Sequence, residues 1–280
     1  MDRILAFDKV TVDFDDVRAL DSVSFDVPRG QTRILFGAAG SGKSVLIKTA
    51  IGLVQPSSGV VTLLGEDISK RPEEDLFEIR SRAGVLFQES GLFDSLTIEE
   101  NVAYPIVNQR APGQSRKRMK PDPAETERRV REALRFVELE HTLTKFPSEL
   151  SGGMRRRVGI ARAAVTEPSL MLYDSPTAGL DPITANTIIA LIVKARDTRK
   201  TTSIIVTHRY QDGQILANFS YNPDKGDLEA APADSNIHER TVFMVFREGK
   251  LVFEGTQEEL EANTDKYVAR FQSRTIARAS

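Results

Sequence analysis

The stretch Gly37-Ala38-Ala39-Gly40-Ser41-Gly42-Lys43-Ser44 decides the fold, because it fits the pattern G-x-x-x-x-G-K-[ST]. An apolar run at residues 32–36 precedes it, and Val45 opens a helical pattern after it. Glycines permit positive φ angles, and backbone N–H groups at a helix N-terminus attract phosphate oxygens. We therefore expect residues 37–45 to hold the phosphates of a nucleotide, with Lys43 bridging the β- and γ-phosphates and the Ser44 hydroxyl binding Mg²⁺.

Strand and helix patterns alternate on both sides of this loop. Apolar and polar residues alternate over residues 10–27, which predicts an N-terminal antiparallel β layer with one wet face. Apolar runs at residues 59–64, 83–87, 170–173, 203–206, 242–246 and 250–253 are typical of strands, and residues 188–195 of a helix. Apolar strands that alternate with helices predict an α/β fold with a parallel sheet.

Three segments differ from this core pattern. Residues 95–165 are largely helical and charged, with several prolines, which predicts an inserted helical subdomain. The polar stretch 218–238 predicts a long, mobile surface loop, and residues 257–274 predict a charged helical tail. We therefore expect one domain over residues 1–271, followed by a tail at residues 272–280.

Composition excludes several classes of function. The 280 residues contain 38 basic and 40 acidic side chains, so the formal charge of -2 gives no global reason to expect a nucleic-acid partner. The absence of cysteine excludes disulfides, thiolate metal sites and cysteine nucleophiles. The longest apolar run, residues 188–193, is too short to span a bilayer, and residues 1–8 lack a signal-peptide core. We expect a cytoplasmic protein whose membrane role requires a partner.

One segment is locally basic. Residues 110–135 contain nine Lys or Arg against four Asp or Glu. Such a run is most often a solvated helix face with a loop, and the alternative is a surface that attracts anionic lipid headgroups.

Two further motifs complete a phosphate site. Residues 170–173 form an apolar strand that ends at Asp174, a carboxylate that can hold Mg²⁺ directly or through water. The sequence Leu150-Ser151-Gly152-Gly153-Met154 opens a helix over residues 155–163, and such a small-residue terminus attracts anions.

These motifs, in this order, resemble those of ABC-type ATPases over nearly the whole chain. Gln88 is similar to the glutamine of the family's Q-loop, which senses nucleotide, helps to bind Mg²⁺ and touches the membrane partner. Gly179-Leu180-Asp181-Pro182 is similar to the D-loop, and Thr207-His208 to the switch histidine, which contacts the γ-phosphate. Phe14 stands where the family has an aromatic residue that stacks on adenine, although core packing explains it nearly as well.

The resemblance also implies an assembly and a mechanism. Two copies face each other head to tail, and each ATP lies between residues 37–44 of one copy and Ser151, Gly152 and Gly153 of the other. Closure and reopening of this homodimer drive an integral membrane permease, which places the protein on the inner face of the cytoplasmic membrane.

The sequence departs from the family at Ser175. Family members normally have glutamate after the strand-end aspartate, and that glutamate polarises the attacking water. A serine hydroxyl has no suitable pKa for this task, and loss of a positioned general base costs about 10²- to 10⁴-fold in rate. Three interpretations stay open: slow hydrolysis that relies on His208, substitution by another carboxylate such as Asp181, or binding without useful turnover. We favour retained but slow ATP hydrolysis.

Local matches indicate a branch of the family. Residues 86–97, residues 100–105 and the lead-in Lys145-Phe146-Pro147-Ser148-Glu149 are similar to the ATPase subunits of Mce/Mla-type lipid transporters. This resemblance implies phospholipid transport between membranes with an Mce-domain partner protein. Alternatives are an importer of another cargo, and a regulatory subunit that binds ATP without hydrolysing it.

Overall fold

Strands and helices alternate along most of the chain, of which the computed structural model describes residues 3–111, 114–118, 121–232 and 235–272. In chain order the strands are β1 (Arg3–Phe14), β2 (Val17–Pro28), β3 (Thr32–Gly37), β4 (Ser58–Leu63), β5 (Glu66–Asp67), β6 (Ala83–Leu86), β7 (Arg110–Ala111), β8 (Gln114–Arg118), β9 (Leu170–Asp174), β10 (Thr202–Val206), β11 (Phe219–Asn222), β12 (Asp227–Ala230), β13 (Thr241–Arg247) and β14 (Lys250–Gly255). The helices are α1 (Lys43–Ala50), α2 (Glu73–Arg80), α3 (Ile98–Val107), α4 (Pro123–Phe136), α5 (Gly152–Ala164), α6 (Pro182–Arg199), α7 (Tyr210–Asn218), α8 (Ile237–Arg240) and α9 (Gln257–Ala262), with short 3₁₀ turns at Glu140–Thr142, Pro147–Glu149 and Val268–Phe271.

A six-stranded sheet forms the centre of the fold, in the order β14-β13-β3-β10-β9-β6. The contacts among β13, β3, β10, β9 and β6 are parallel, and β14 pairs antiparallel with β13. Every residue of β3, β9 and β10 is buried, as expected for parallel strands that are covered on both faces. The predicted α/β fold with a parallel sheet is confirmed.

A second sheet is antiparallel and has the order β2-β1-β4-β5. One hydrophobic cluster joins its inner face to α1 and to one face of the six-stranded sheet, through residues such as Leu5, Val23, Leu46 and Leu172. Helix α1 therefore lies between the two sheets. This is the small N-terminal β layer that the alternating pattern predicts.

The other face of the six-stranded sheet packs on α5, α6 and α7 in a second cluster that also includes α3 and α4. Two of these helices begin at capping residues that directly precede them in the sequence. Thr97 and Glu100 form a capping box on α3, and Asp122 caps α4 ahead of Pro123 at its first position. Residues 95–165 thus contain α3, α4 and α5, as the charged helical pattern suggests, together with the short β7–β8 pair.

The region 218–238 differs from the sequence expectation. We predicted a long, mobile surface loop, whereas β11 and β12 form an antiparallel hairpin and α8 follows at its end. The hairpin is held from outside: Asp197 of α6 accepts a hydrogen bond from the Tyr221 N–H at 2.8 Å, and Arg196 donates to the Phe219 carbonyl at 2.7 Å. Its half-exposed, polar strands carry no apolar run, so the local pattern resembles a loop.

The C-terminal region also differs in detail. The predicted continuous helix over residues 257–274 is instead α9, an interruption at Asn263, and the 3₁₀ turn Val268–Phe271. The remaining residues of the predicted tail, 273–280, lie outside the described residues. Within the described part of the chain, no helix combines the length and apolar character needed to cross a membrane.

Candidate functional site

The phosphate-binding loop lies between β3, which ends at Gly37, and α1, which begins at Lys43. Gly42 has φ +101° at the N-cap of α1, and a Cβ atom there would come within 2.4 Å of the Ala19 carbonyl oxygen. A Cβ atom on Gly37 would come within 2.6 Å of the Phe246 carbonyl oxygen. Only glycine therefore allows the loop to pack this closely against β2 and β13.

Lys43 folds back over this loop and is buried. Its Nζ atom donates to the carbonyls of Gly37 and Ala38 at 2.9 and 2.8 Å, and to Ser41 Oγ at 3.0 Å. Burial lowers the pKa of Lys43, and the nearby Asp174 opposes that change. An anion bound beside Nζ would favour the charged ammonium, so this lysine suits a phosphate.

A cleft of about 520 Å³ opens beside the loop and brings most of the predicted residues together. Lys43, Ser44, Gln88, Ser175 and His208 all line it. The other lining residues are Val17, Arg18, Ala19, Ala39, Gly40, Ser41, Gly42, Val45, Val206, Glu248 and Gly249. The contributions of β2 and of the β13–β14 turn, with Glu248, were not predicted, because only the folded chain brings these segments to the loop.

Asp174 and Ser175 lie at the end of β9, and both are buried. The Ser175 hydroxyl donates to Asp174 Oδ1 at 3.2 Å, and its N–H donates to the Val206 carbonyl at 3.0 Å. Ser175 has φ +54°, a left-handed conformation that a non-glycine residue rarely adopts. The side chain that follows Asp174 is therefore a hydroxyl that is already hydrogen-bonded to it.

The residues present fit a Mg²⁺ ion that binds together with a nucleotide. The described part of the chain contains no cluster of three or more His, Asp or Glu side chains that could hold a metal by itself. Mg²⁺ usually binds through one or two carboxylates, waters and the phosphates of its substrate. Ser44, Gln88 and Asp174 offer a hydroxyl, an amide and a carboxylate, and Asp174 is close enough to influence the pKa of both Lys43 and His208.

His208 follows the end of β10 and lines the cleft. Burial and the neighbouring Lys43 lower its pKa below the ordinary 6.5, against the opposing effect of Asp174. The imidazole is therefore neutral at pH 7, with one nitrogen able to donate and the other able to accept a hydrogen bond.

Asp212 is a site residue that the sequence analysis missed. It is fully buried on α7, where Oδ2 accepts hydrogen bonds from Thr177 at 2.7 Å and from Thr207 at 2.6 Å. Burial raises its pKa, and Arg209 approaches its other oxygen at 3.3 Å. Asp212 thus joins the segment after Ser175 to the segment before His208. In the sequence, a carboxylate on an otherwise apolar helix face was the feature that could have identified it.

Arg156 is a second missed residue, and it joins the Gln88 segment to the D-loop segment. Its buried guanidinium on α5 donates to the carbonyls of Phe87 and Gln88, and to that of Ala178 at 3.3 Å. Arg156 therefore holds the backbone of Gln88 in place from helix α5.

Several predicted residues lie apart from this cleft. Ser151 caps α5 by accepting from Met154 N at 3.2 Å, and a Cβ atom on Gly153 would come within 2.4 Å of Thr184. Asp181 caps α6 by accepting from the N–H groups of Ile183 and Thr184, both at 3.0 Å. Ser151, Gly152 and Asp181 thus belong to a second surface, built by the adjacent starts of α5 and α6, and Gly153 is buried directly beneath it.

Phe14 also lies outside the cleft wall. It is 45% exposed at the end of β1 and pairs with Val17, which does line the cleft. Stacking of Phe14 on adenine stays a prediction.

The segment from residue 110 to 135 is explained in part by ion pairs. In α4, Arg128 and Arg129 both bind Glu125, Arg131 binds Glu127, and Arg135 binds Glu140. These exposed pairs favour a solvated helix face over an anion-binding surface for this helix.

Comparisons with known proteins indicate the family of this chain. The family model described as "ABC transporter" matches residues 20–178. The chain is 37% identical to the methionine import ATP-binding protein MetN of Bifidobacterium longum, over 77% of this chain and 53% of that protein. It is 38% identical to the probable ribonucleotide transport ATP-binding protein mkl of Mycobacterium leprae, over 71% of this chain and 55% of that protein. The chain therefore spans about half the length of the curated relatives that it matches.

Solved structures show the same fold. CbiO1 of Clostridium perfringens, part of the ABC transporter complex cbiONQ, has a TM-score of 0.75 at 27% identity and covers 94% of this chain and 92% of its own. The ATP-binding cassette MJ0796, as a post-hydrolysis dimer with ADP and Pi, has a TM-score of 0.72 at 25% identity and covers 90% and 98%. The family match, the relatives and the shared fold together show that this chain belongs to the ABC transporter family and has the fold of its ATP-binding cassettes.

Proposed function

We propose that this protein is the ATP-binding subunit of an ABC transporter, which binds ATP with Mg²⁺ and hydrolyses it slowly to drive a membrane permease. One observation carries the proposal: Lys43, Ser44, Gln88 and His208 line a single cleft beside a phosphate-binding loop. The same cleft contains Ser175, which decides the rate.

The second surface supports a head-to-tail homodimer. Ser151, Gly152 and Asp181 are exposed and lie away from the cleft of their own chain. Ile183, two residues after Asp181, is 81% exposed, which is unusual for a large apolar side chain. A second copy that places its cleft against this surface would bury Ile183 and bring the N-terminus of α5 to the phosphates.

The residues of the cleft have separable roles. Lys43 and the loop N–H groups bind and orient the phosphates, and Ser44, Gln88 and Asp174 would hold the Mg²⁺, which supplies charge neutralisation on the phosphate oxygens. Neutral His208 donates a hydrogen bond toward the transferred phosphoryl group. Asp212 positions His208 by holding Thr207, the residue before it.

Hydrolysis is the step that Ser175 limits. Its hydroxyl cannot accept the proton of the attacking water, and the Asp181 carboxylate of the same chain caps α6. We therefore favour slow turnover in which His208 and the phosphate itself orient the water. A regulatory subunit that binds ATP without turnover is the second candidate, and the hydrogen-bonded serine at this position favours it.

An exposed aromatic pair supports permease docking near Gln88. Phe93 and Tyr104 are both 40% exposed, and their ring centroids are 4.6 Å apart. Arg162 of α5 donates to the carbonyls of Ser90 and Gly91, both at 2.7 Å, and lies over the Phe93 ring. A cytoplasmic helix of a permease that packs here would contact the segment that follows Gln88, and such docking would hold this subunit at the inner face of the membrane.

The cargo is the finer part of the proposal. Similarity of residues 86–97 and 145–154 to Mce/Mla-type ATPases supports phospholipid transport with an Mce-domain protein. The relatives MetN and mkl are named for methionine import and ribonucleotide transport. Purification of the intact membrane complex distinguishes these cargoes, since only the lipid transporter contains an Mce-domain protein.

Phosphate release from MgATP tests the core of the proposal. We would compare the wild type with Lys43→Ala and Ser175→Glu, each with its permease present. We expect wild-type activity above the Lys43→Ala background, and an increase of about 10²- to 10⁴-fold in Ser175→Glu, because glutamate restores the general base. Nucleotide affinity measured in parallel separates binding from turnover.

Each contrary result has a defined meaning. Activity only in Ser175→Glu would replace slow hydrolysis by the regulatory candidate. Equal ATP affinity in the wild type and Lys43→Ala would contradict the phosphate site itself.

A further inference from the structure

The C-terminal segment, defined here as residues 265–272, touches the phosphate-binding loop through Tyr267. The Tyr267 hydroxyl accepts a hydrogen bond from the Ala38 N–H at 3.1 Å and donates one to the Phe246 carbonyl at 2.9 Å. Ala38 immediately precedes Ala39 and Gly40, which line the nucleotide cleft. The Tyr267 side chain therefore binds the backbone of a loop that lies 229 residues earlier in the sequence.

Other contacts hold Tyr267 in place. Asp265 Oδ1 accepts from the N–H groups of Tyr267 and Val268, at 2.7 and 3.1 Å. The Tyr267 ring packs edge-on against Phe271 at 5.4 Å, and Phe271 stacks on Phe36 at 6.0 Å. Phe36 is the residue of β3 that directly precedes the loop, so the segment is anchored on the same strand that the loop leaves.

A cation and an amide add to this anchoring. The Arg247 guanidinium lies 5.6 Å from the centre of the Tyr267 ring. The Gln272 amide donates to the carbonyls of Leu260 and Asn263, both at 2.7 Å. The segment is therefore fixed at both ends and at the tyrosine, which allows its hydroxyl to act as a defined hydrogen-bond partner.

The hydroxyl completes the hydrogen bonding of the backbone of one residue of the loop, Ala38. The Ala38 carbonyl accepts from Lys43 Nζ at 2.8 Å, and the Ala38 N–H donates to Tyr267. Ala38 is exposed, so without Tyr267 its N–H would bond to water and the loop would sample more conformations. A loop that is held in its binding conformation before the ligand arrives loses less entropy on binding.

We infer that Tyr267 is a positioning residue for the phosphate-binding loop, through which the C-terminal segment sets the nucleotide affinity of the cleft. The inference rests on the proposed function, because it concerns the same nucleotide site. In this role Tyr267 does not contact the nucleotide. Its effect is on how well the loop is organised for binding, so it should alter affinity and not the chemical step.

Titration of the purified full chain with a fluorescent ATP analogue in Mg²⁺ tests this role. Tyr267→Phe keeps the ring contacts with Phe271 and Arg247 and removes only the hydroxyl. A neutral hydrogen bond is worth about fivefold in an equilibrium constant, so we expect the Kd to rise about fivefold or more. In steady-state assays of the Ser175→Glu background, KM should rise while kcat at saturating ATP stays the same.

Two further variants make the result specific. Tyr221→Phe is the matched control, because the Tyr221 hydroxyl makes no hydrogen bond among the residues that the structure describes. Its Kd should equal that of the wild type. Phe271→Leu loosens the stacking on Phe36 without touching the hydroxyl, and it should raise the Kd in the same direction as Tyr267→Phe.

The outcomes separate this inference from the proposed function. A wild-type Kd in Tyr267→Phe overturns the inference, even if the melting temperature falls, since that combination shows a structural role alone. A drop in kcat with an unchanged KM also overturns it. Absence of analogue binding by the wild type would contradict the proposed function before the tyrosine is considered.

Discussion

At the scale of single residues, the nucleotide cleft depends on how its few ionisable groups influence one another. Lys43, Asp174 and His208 come from three separate segments of the chain, and the first and the last both have a lowered pKa. The motifs predicted these three residues and their contribution to one phosphate site. They did not predict Asp212, whose buried hydrogen bonds to Thr177 and Thr207 arise only when α7 packs beneath the strand ends.

A proton titration of His208 measures this coupling. Burial lowers the His208 pKa, and the positive charge of Lys43 lowers it further. We expect the imidazole resonance in nucleotide-free protein to titrate below pH 6.5, and its midpoint to move upward in Lys43→Met, which keeps the apolar stem and removes the charge. Because the folded state binds this proton less well than the unfolded state, the associated stability is lost as the pH falls from 6.5 through the folded-state pKa.

Comparison with His208→Gln assigns the resonance in that NMR experiment. A midpoint that does not change in Lys43→Met would show that Lys43 and His208 are too far apart to interact. The proposed joint action of the two groups on a phosphate would then need revision.

At the scale of elements, the sequence predicted the strands that are buried on both faces and missed the hairpin formed by β11 and β12. The buried strands are short apolar runs, because a strand that is covered on both faces needs apolar side chains at consecutive positions. The hairpin has partly exposed polar strands and depends on α6, through Arg196 and Asp197. Its attachment to α6 comes from contacts across more than twenty residues, which a local pattern does not record.

Hydrogen exchange tests whether α6 holds this hairpin. Asp197 Oδ2 accepts from the Tyr221 N–H at 2.8 Å and also binds Arg196, which donates to the hairpin's Phe219 carbonyl. We expect the amides of β11 and β12 to be protected in the wild type. Asp197→Ala should speed their exchange about tenfold or more, because loss of about 1.4 kcal/mol of local stability changes the opening equilibrium tenfold.

Asp224→Ala is the matched control, since Asp224 lies in the exposed turn of the same hairpin. Among the residues that the structure describes, only its backbone N–H is hydrogen-bonded, to Asn222. Its exchange should stay close to that of the wild type. Fast exchange of both strands in the wild type would contradict the hairpin's attachment to α6 and support the mobility that the sequence suggested.

At the scale of the whole molecule, the two groups of family motifs lie on different surfaces of one chain. The phosphate-binding loop, Gln88 and His208 share the cleft, and Ser151 and Asp181 start the neighbouring helices α5 and α6. The order of motifs in the sequence indicates the fold but does not say which motifs meet within one chain. The structure separates them, and this separation is the physical reason to expect that two copies share each nucleotide.

Light scattering with MgATP tests the shared site through the exposed start of α5. Ser151→Arg adds bulk and removes the cap at this surface while leaving the cleft of its own chain unchanged. We expect the wild type to dimerise in MgATP and to persist as a dimer, because the slow hydrolysis that we propose would leave ATP intact between the copies. Ser151→Arg should bind the fluorescent ATP analogue as a monomer with an affinity similar to that of the wild-type monomer, and it should not dimerise.

Ser220→Arg lies between Phe219 and Tyr221, which bind Arg196 and Asp197 near the C-terminal end of α6. It introduces the same side chain at the opposite end of α6 from Asp181 and should dimerise as the wild type does. The Ser175→Glu protein should form a shorter-lived dimer, since faster hydrolysis removes the γ-phosphate that bridges the two copies. Dimerisation of Ser151→Arg at the wild-type ATP concentration would contradict a composite site. The exposed Ile183 and the start of α5 would then have to serve another partner, and each cleft would have to act within one chain.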